Sequence, residues 1–120
     1  MKNIVIVDDS PILRSMIRAV LEHAGYTIVS EAGNGTEAMQ KIEQHKPDLV
    51  LLDVLMPGES GLDILKSVKA LENAPKVMMV TAINQEAVNE EAKTLGANAI
   101  LYKPFEPEEL VKTVKELLAA

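Results

Sequence analysis

An α/β fold, a five-stranded parallel sheet with helices on both faces, is what this sequence predicts. Short apolar or β-branched runs alternate five times with stretches of helical spacing. The joints are short, with no linker, low-complexity segment or internal repeat. The 120 residues suit one open, doubly wound sheet, whereas a (β/α)₈ barrel needs about twice that length. Alternating elements and right-handed crossovers give parallel strands buried beneath two helical layers.

Each element follows from its own pattern. "NIVIV" (3–7) is a β-branched run ending at Asp8. "PILRSMIRAVLEHAG" (11–25) changes to helical spacing, with Ile12, Leu13, Met16, Ile17, Val20 and Leu21 on one face. Ser10 suits its N-cap, Pro11 its first turn and Gly25 its stop. "TIVSEA" (27–32) is a strand, and "GTEAMQKIEQH" (35–45) a helix with Ala38, Met39 and Ile42 inward. "DLVLLD" (48–53) is the most apolar strand. "GLDILKSVKALE" (61–72) is helical, with Leu62, Leu65, Val68 and Leu71 along one side. "KVMMVTA" (76–82) is a strand, "QEAVNEEAKTLG" (85–96) a helix ending at Gly96, and "AILY" (99–102) the last strand. "PEELVKTVKELLA" (107–119) closes the pattern with Leu110, Val111, Val114, Leu117 and Leu118 inward.

Composition removes several classes. Hydrophobic residues make up 48%, which argues against disorder. With one Phe, two Tyr and no Trp, the core must come from aliphatic residues and Met. Twelve basic against eighteen acidic residues, a net charge of −6, disfavour nucleic-acid binding. The absence of Cys excludes disulfides, thiol nucleophiles and Cys-based zinc sites. "MKNIVIVDD" is too short an apolar stretch for a signal peptide, and no apolar run has membrane-spanning length. A cytoplasmic protein is expected.

In open α/β sheets, ligands sit beyond the carboxyl ends of the strands, at the switch in strand order. The first strand ends in Asp8–Asp9, the third in Asp53 and the fourth in Thr81–Ala82; Lys103–Pro104 follows the fifth. Asp53 is the odd one, flanked by Val50, Leu51, Leu52, Val54 and Leu55. A carboxylate buried there must be neutralised, paired or bound to a metal. Clustered carboxylates repel and raise one another's pKa. A hard cation, Mg²⁺ or Mn²⁺, relieves this, and Mg²⁺ is usually held by one or two carboxylates with phosphate oxygens completing the shell. Thr81 can donate to a phosphoryl oxygen and Lys103 can pair with it. Asp53 can attack phosphorus, because carboxylates form aspartyl-phosphates. The metal and Lys103 would offset charge on the transferring group. Glu59 and Asp63 fall beyond the strand end and on the helix, outside this set.

Taken singly, each residue has a plainer explanation. Asp8–Asp9 can cap the first helix. Asp53, followed by "MPG", can end a strand at a turn. Thr is ordinary in strands, and an isolated Lys is ordinarily a surface residue. The Met residues at 16, 39, 78 and 79 read as core filler. Only the combination points to chemistry.

The set "IVDDS", "LVLLDVLMPGESG", "VTA" and "YKPF" resembles the response-regulator receiver domain of two-component signalling, from first strand to last helix. The chain resembles a stand-alone, CheY-like member, one domain over 1–120 with no output domain. The resemblance implies a flavodoxin-like (βα)₅ fold with strand order 2-1-3-4-5. It implies Asp53 as phosphoacceptor, Asp9 as direct metal ligand, Asp8 acting mainly through a metal-bound water, and the Leu55 backbone carbonyl as the third protein ligand. Thr81 then resembles the switch hydroxyl, with Ala82 beside it, and Lys103 the phosphate-pairing lysine before a cis bond to Pro104. A sensor histidine kinase is the implied donor. The implied output surface is the fourth helix, fifth strand and fifth helix (85–119). That surface carries Glu86, Glu90, Glu91, Lys93, Glu106, Glu108 and Glu109, and suits a basic protein partner. Chemotaxis is one pathway for such a domain; phosphorelays are another. A monomer is expected, with a phosphorylation-dependent dimer as the alternative.

Three positions depart from, or qualify, the pattern. Many members have an aromatic switch residue where this chain has Ile100, and Tyr102 sits beside Lys103 instead. Leu55 and Ile83 lie two residues after Asp53 and Thr81, flanking the path that attacking water takes in the family. Two apolar side chains there imply slow self-dephosphorylation. Other readings remain. A haloacid-dehalogenase-type phosphatase needs a second Asp where Leu55 stands. A flavodoxin-like cofactor binder needs a Gly/Ser/Thr phosphate cradle where "DDSP" stands. A metal-independent pseudo-receiver does not need the filled acidic positions. The domain is therefore expected to be no enzyme beyond its own phosphorylation and dephosphorylation.

Overall fold

The computed structural model describes residues 2–56 and 58–119. In chain order the elements are β1 (Asn3–Val7), α1 (Pro11–His23), β2 (Thr27–Ala32), α2 (Gly35–His45), β3 (Leu49–Leu52), β4 (Leu55–Met56), β5 (Glu59–Ser60), α3 (Gly61–Lys69), β6 (Lys76–Thr81), α4 (Glu86–Thr94), β7 (Ala99–Tyr102) and α5 (Pro107–Leu118). Five strands form one parallel sheet in the order β2-β1-β3-β6-β7. Leaving aside the two-residue strands β4 and β5, that order is 2-1-3-4-5, the flavodoxin-like (βα)₅ arrangement.

Strand alternation divides the core into two layers. Val5, Val7, Val50, Leu52, Val77 and Met79 face Ala38, Ile42, Ile64, Leu65, Val68 and Ala92 of α2, α3 and α4. Ile4, Ile6, Leu49, Leu51, Met78 and Val80 face Ile17, Leu21, Leu110 and Val114 of α1 and α5. Both faces of the central strands are buried, which is why they read as continuous apolar runs.

The chain leaves β1 for β2 on one side, then crosses to β3 on the other. The switch point therefore lies between β1 and β3. There the register pairs Val7 with Leu52, so Asp8 and Asp53 are the next residues on adjacent strands. The Asp53 N–H donates to the Val7 carbonyl at 3.0 Å, and the Asp8 N–H to the Ala32 carbonyl at 3.0 Å.

Several elements differ from expectation. Ile12 is 85% exposed: Ser10 caps α1 by accepting from the Leu13 N–H at 3.2 Å, and at the second helical position Ile12 projects beyond the layer that Ile17 and Leu21 enter. α1 stops at His23, before Gly25 with its φ of +98°. α3 ends at Lys69, not at 72, with Asn73 left-handed at φ 57° in the turn that follows. β3 ends at Leu52, placing Asp53 just past the strand. β4 and β5 form an antiparallel ribbon, Leu55 against Ser60 and Met56 against Glu59. Leu55, part of the run that reads as buried, is 60% exposed there. Pro57, within the expected Met56–Gly58 turn, lies outside the described residues.

Candidate functional site

Among the described residues, the buried polar or charged side chains are Asp8, Asp53 and Thr81, at 2%, 5% and 1% exposure. All three stand at the carboxyl edge of the sheet. Asp8, Asp9 and Asp53 each bring a carboxylate oxygen to within 4.8 Å of the others. Asp9 is exposed and the other two are buried, so the cluster opens to solvent on the Asp9 side.

Lys103 closes the group from beyond β7. Its ammonium donates to Asp8 Oδ2 at 2.8 Å and to Asp53 Oδ2 at 3.1 Å. The Lys103 N–H donates to the Thr81 carbonyl at 2.8 Å, which continues the β6–β7 pairing and sets where the side chain starts. The Lys103–Pro104 peptide is cis.

The remaining carboxylate oxygens are held by the local backbone. Asp8 Oδ1 accepts from the Ser10 N–H at 2.9 Å, and Asp53 Oδ1 from the Leu55 N–H at 3.2 Å. The Asp8 backbone carbonyl accepts from Arg14 Nη1. Arg14 Nε in turn donates to Glu31 Oε1 at 3.2 Å, and Arg18 Nε to Glu31 Oε2 at 2.6 Å. The Thr81 hydroxyl oxygen is engaged in its own turn, accepting from the Ile83 N–H at 3.1 Å. Ala82 is exposed at the same edge.

Burial pushes the Asp53 carboxyl above the ordinary aspartate range. The Lys103 charge and hydrogen bond pull it back, and the nearby Asp8 charge adds to the rise. Burial alone would lower the Lys103 ammonium, but its hydrogen bond to Asp8 and the charges of Asp53 and Asp8 outweigh this and hold it above the ordinary lysine value. Lys103 therefore stays cationic, and three carboxylates against one ammonium leave the site net negative. Such a set of hard oxygen donors fits Mg²⁺ or Mn²⁺. Leu55 stands where a general acid–base Asp would be needed for a dehalogenase-type phosphatase, and it offers no titratable group.

The structure brings Asp8, Asp9, Asp53 and Lys103 together as the sequence predicts. Ser10, the expected N-cap, caps α1, which removes the plainer role of Asp8–Asp9 as its cap; the contacts of Gly61 and Glu59 were not foreseen. Gly61, the first residue of α3, lies against the loop that carries Asp53: its N–H donates to the Val54 carbonyl at 2.7 Å, and a Cβ there would sit 1.9 Å from the Asp53 carbonyl oxygen. A glycine opening a helix right after a Ser N-cap is the sequence signal for this, since Gly is a weak helix former. Glu59 accepts from the Gly35 N–H at the start of α2, tying the ribbon to that helix. Ile100 is half-buried against the cluster beneath α2–α4, and Tyr102 is half-buried in register with Thr81.

Comparison with known proteins agrees with this geometry. A family model described as the response regulator receiver domain matches residues 4–115. The chemotaxis protein CheY of Thermotoga maritima is 34% identical over 116 residues, covering 97% of each chain. The transcriptional regulatory protein PdtaR of Mycobacterium tuberculosis is 37% identical over 114 residues, covering 95% of this chain and 55% of that protein. The crystal structure of a CheY-like receiver domain protein from Methanospirillum hungatei superposes with a TM-score of 0.93 at 30% identity, covering 99% of this chain and 94% of that one. Relatives thus include both a chemotaxis protein and a transcriptional regulator. With its fold, its acidic edge and these likenesses, the chain belongs to the response regulator receiver domain family of two-component signalling.

Proposed function

We propose that this receiver takes a phosphoryl group on Asp53 from a sensor histidine kinase and passes the signal to a protein partner. The observation that carries the reading is the charge arrangement: three carboxylates with oxygens within 4.8 Å of one another, and Lys103 bridging Asp8 and Asp53. Asp9, Asp53 and the Leu55 carbonyl would hold Mg²⁺ or Mn²⁺, with Asp8 acting through a bound water. The cation, when bound, supplies charge neutralisation for the transferring group.

The protein's own residues do the rest. A carboxylate oxygen of Asp53 attacks the phosphorus of the donor phosphohistidine. The new P–O bond forms as the P–N bond breaks, and the imidazole leaves. Lys103, already on Asp53 Oδ2, is placed to follow the charge onto the phosphoryl oxygens. The Thr81 hydroxyl can keep accepting from the Ile83 N–H while donating its own hydrogen to a phosphoryl oxygen. That new bond biases the β6–α4 segment around Ala82, and with it the α4–β7–α5 face. Ile100 leaves this switch without its usual aromatic member. Exposed Leu55 and half-buried Ile83 favour a long-lived phosphoryl group. The domain catalyses its own phosphorylation and dephosphorylation in the cytoplasm; chemotaxis is one pathway it would serve. Among the described residues no helix is long and apolar enough to cross a membrane.

Intact mass after incubation with acetyl phosphate and Mg²⁺ tests the reading. A single phosphoryl adduct is expected on the wild type, absent in Asp53→Asn and in EDTA. No adduct under any metal condition would overturn it in favour of a metal-independent binding module.

A further inference from the structure

We infer that Arg14 is the positioning residue of the acidic loop, holding the peptide between Asp8 and Asp9 in the orientation that lets Asp9 join the metal ligands. The inference rests on the metal-binding reading above and adds to it a residue outside the acidic set.

Asp8 is fixed at each of its polar groups. Its N–H donates to Ala32, its Oδ1 accepts from Ser10, and its Oδ2 accepts from Lys103. The remaining group is the carbonyl, which accepts from Arg14 Nη1. That carbonyl belongs to the Asp8–Asp9 peptide. The peptide is planar, so holding its oxygen also sets the Asp9 N and Cα. Asp9 is exposed, unlike buried Asp8 and Asp53, so packing does little to hold it. Arg14 supplies the missing constraint from behind.

Arg14 is suited to that task. Its side chain is only 18% exposed, and Nε donates to Glu31 Oε1 at 3.2 Å. Glu31 is fixed on its other oxygen by Arg18 at 2.6 Å. The guanidinium is thus a rigid planar link from β2 to the acidic loop, and its fork can serve two acceptors at once. Gly33 leaves it room, since a Cβ there would lie 3.3 Å from Arg14 Nη1. Lys carries its three donors on one nitrogen at the end of a flexible stem and lacks the planar fork whose separate nitrogens reach the Asp8 carbonyl and Glu31 together.

Groups that orient metal ligands typically affect metal affinity about 10–100-fold. Arg14→Gln is therefore expected to weaken Mn²⁺ binding by about that factor, read from the free-Mn²⁺ EPR signal of the unphosphorylated protein. Arg14→Lys should fall between the two. Acetyl phosphate labelling of Arg14→Gln should recover toward the wild-type rate at high Mg²⁺, because Asp53 and Lys103 are untouched. A merely structural residue would lower the thermal midpoint of the metal-free protein and the maximal labelling rate, and leave the metal affinity alone. Mn²⁺ affinities of Arg14→Gln and Arg14→Lys within twofold of wild type overturn the inference. If the wild type nevertheless takes the adduct, the phosphoacceptor reading stands and Arg14 alone is wrong. A wild type that neither binds Mn²⁺ nor takes the adduct overturns both.

Discussion

The two edges of the sheet use polar side chains in opposite ways. At the amino edge they terminate strands. Asp48 Oδ2 accepts from the Asn3 N–H at 2.8 Å, and Asn98 Oδ1 accepts from the Val77 N–H and from Lys69 Nζ, both at 2.9 Å. Lys76 Nζ donates to the Leu117 carbonyl at 2.5 Å. These groups pair with neutral partners and satisfy backbone that would otherwise be stranded. At the carboxyl edge the side chains face one another as charges. Burial pulls Lys69 at the amino edge below the ordinary lysine range, with Lys76 nearby adding to the fall, whereas Lys103 at the carboxyl edge is held above it by two carboxylates. One edge uses its polar groups on backbone and neutral partners, with no buried carboxylate among the described residues. The other retains an excess of negative charge that a cation and a phosphoryl group can answer.

The sharpest way to break this contrast is to remove the Lys103 cation that bridges Asp8 and Asp53. Lys103→Met is expected to slow labelling by acetyl phosphate about 100-fold or more, the loss seen when a preorganised charge partner is deleted. A rate within a few-fold of wild type would mean that the Lys103 contacts are structural only. Next in size is Gly61→Ala, which forces a methyl onto the Asp53 carbonyl. We expect a stability loss of about 3 kcal/mol in urea unfolding, at the upper end of overpacking costs, together with a reduced adduct yield. An unchanged midpoint would show that the loop yields freely.

The amino edge should separate stability from chemistry. Asn98→Ala strands the Val77 N–H and loosens Lys69, which should cost about 1–3 kcal/mol and leave the labelling rate of the folded protein unaltered. A slowed rate in the folded variant would join the two edges that the structure keeps apart. The smallest effect is a pH dependence. Because burial raises the Asp53 carboxyl, the folded protein holds that proton more tightly than the unfolded chain. The stability this provides is fully present below the ordinary aspartate pKa and is lost as pH rises through the raised folded value. Asp53→Asn carries no such proton, so its stability advantage over wild type should grow with pH across that window in EDTA. Guanidinium unfolding at stepped pH measures this, and a flat or shrinking difference counts against the buried-charge account.

Periodicity made the layers legible because both faces of the sheet are covered, and every β-branched run had only one place to go. The acidic edge was legible for a related reason: charges at the carboxyl ends of apolar runs in a parallel sheet must gather on one side. What escaped was local. Ile12 fits the helical stripe of α1, but it sits too near the N-terminus to reach the core. The β4–β5 ribbon has two residues per strand, too short for alternation to register. Asp53 lies one step beyond β3, and the surrounding apolar run hides that boundary. Arg14 reads as an ordinary solvent-facing helical residue, because its partners are a backbone carbonyl and a side chain seventeen residues away. Contacts to backbone leave no trace in side-chain pattern.

The span of the Lys103 bridge has a consequence for folding. Its partner Asp8 is ninety-five residues away in sequence and Asp53 is fifty. Contacts of such separation are costly to close before the intervening chain is ordered. The ammonium reaches the carboxylates only when β1, β3 and β7 are all seated. Until then the acidic pair has no cation from the protein itself. The site thus exists only where β1, β3 and β7 stand together, and a chain with any of the three unseated has three carboxylates without their ammonium.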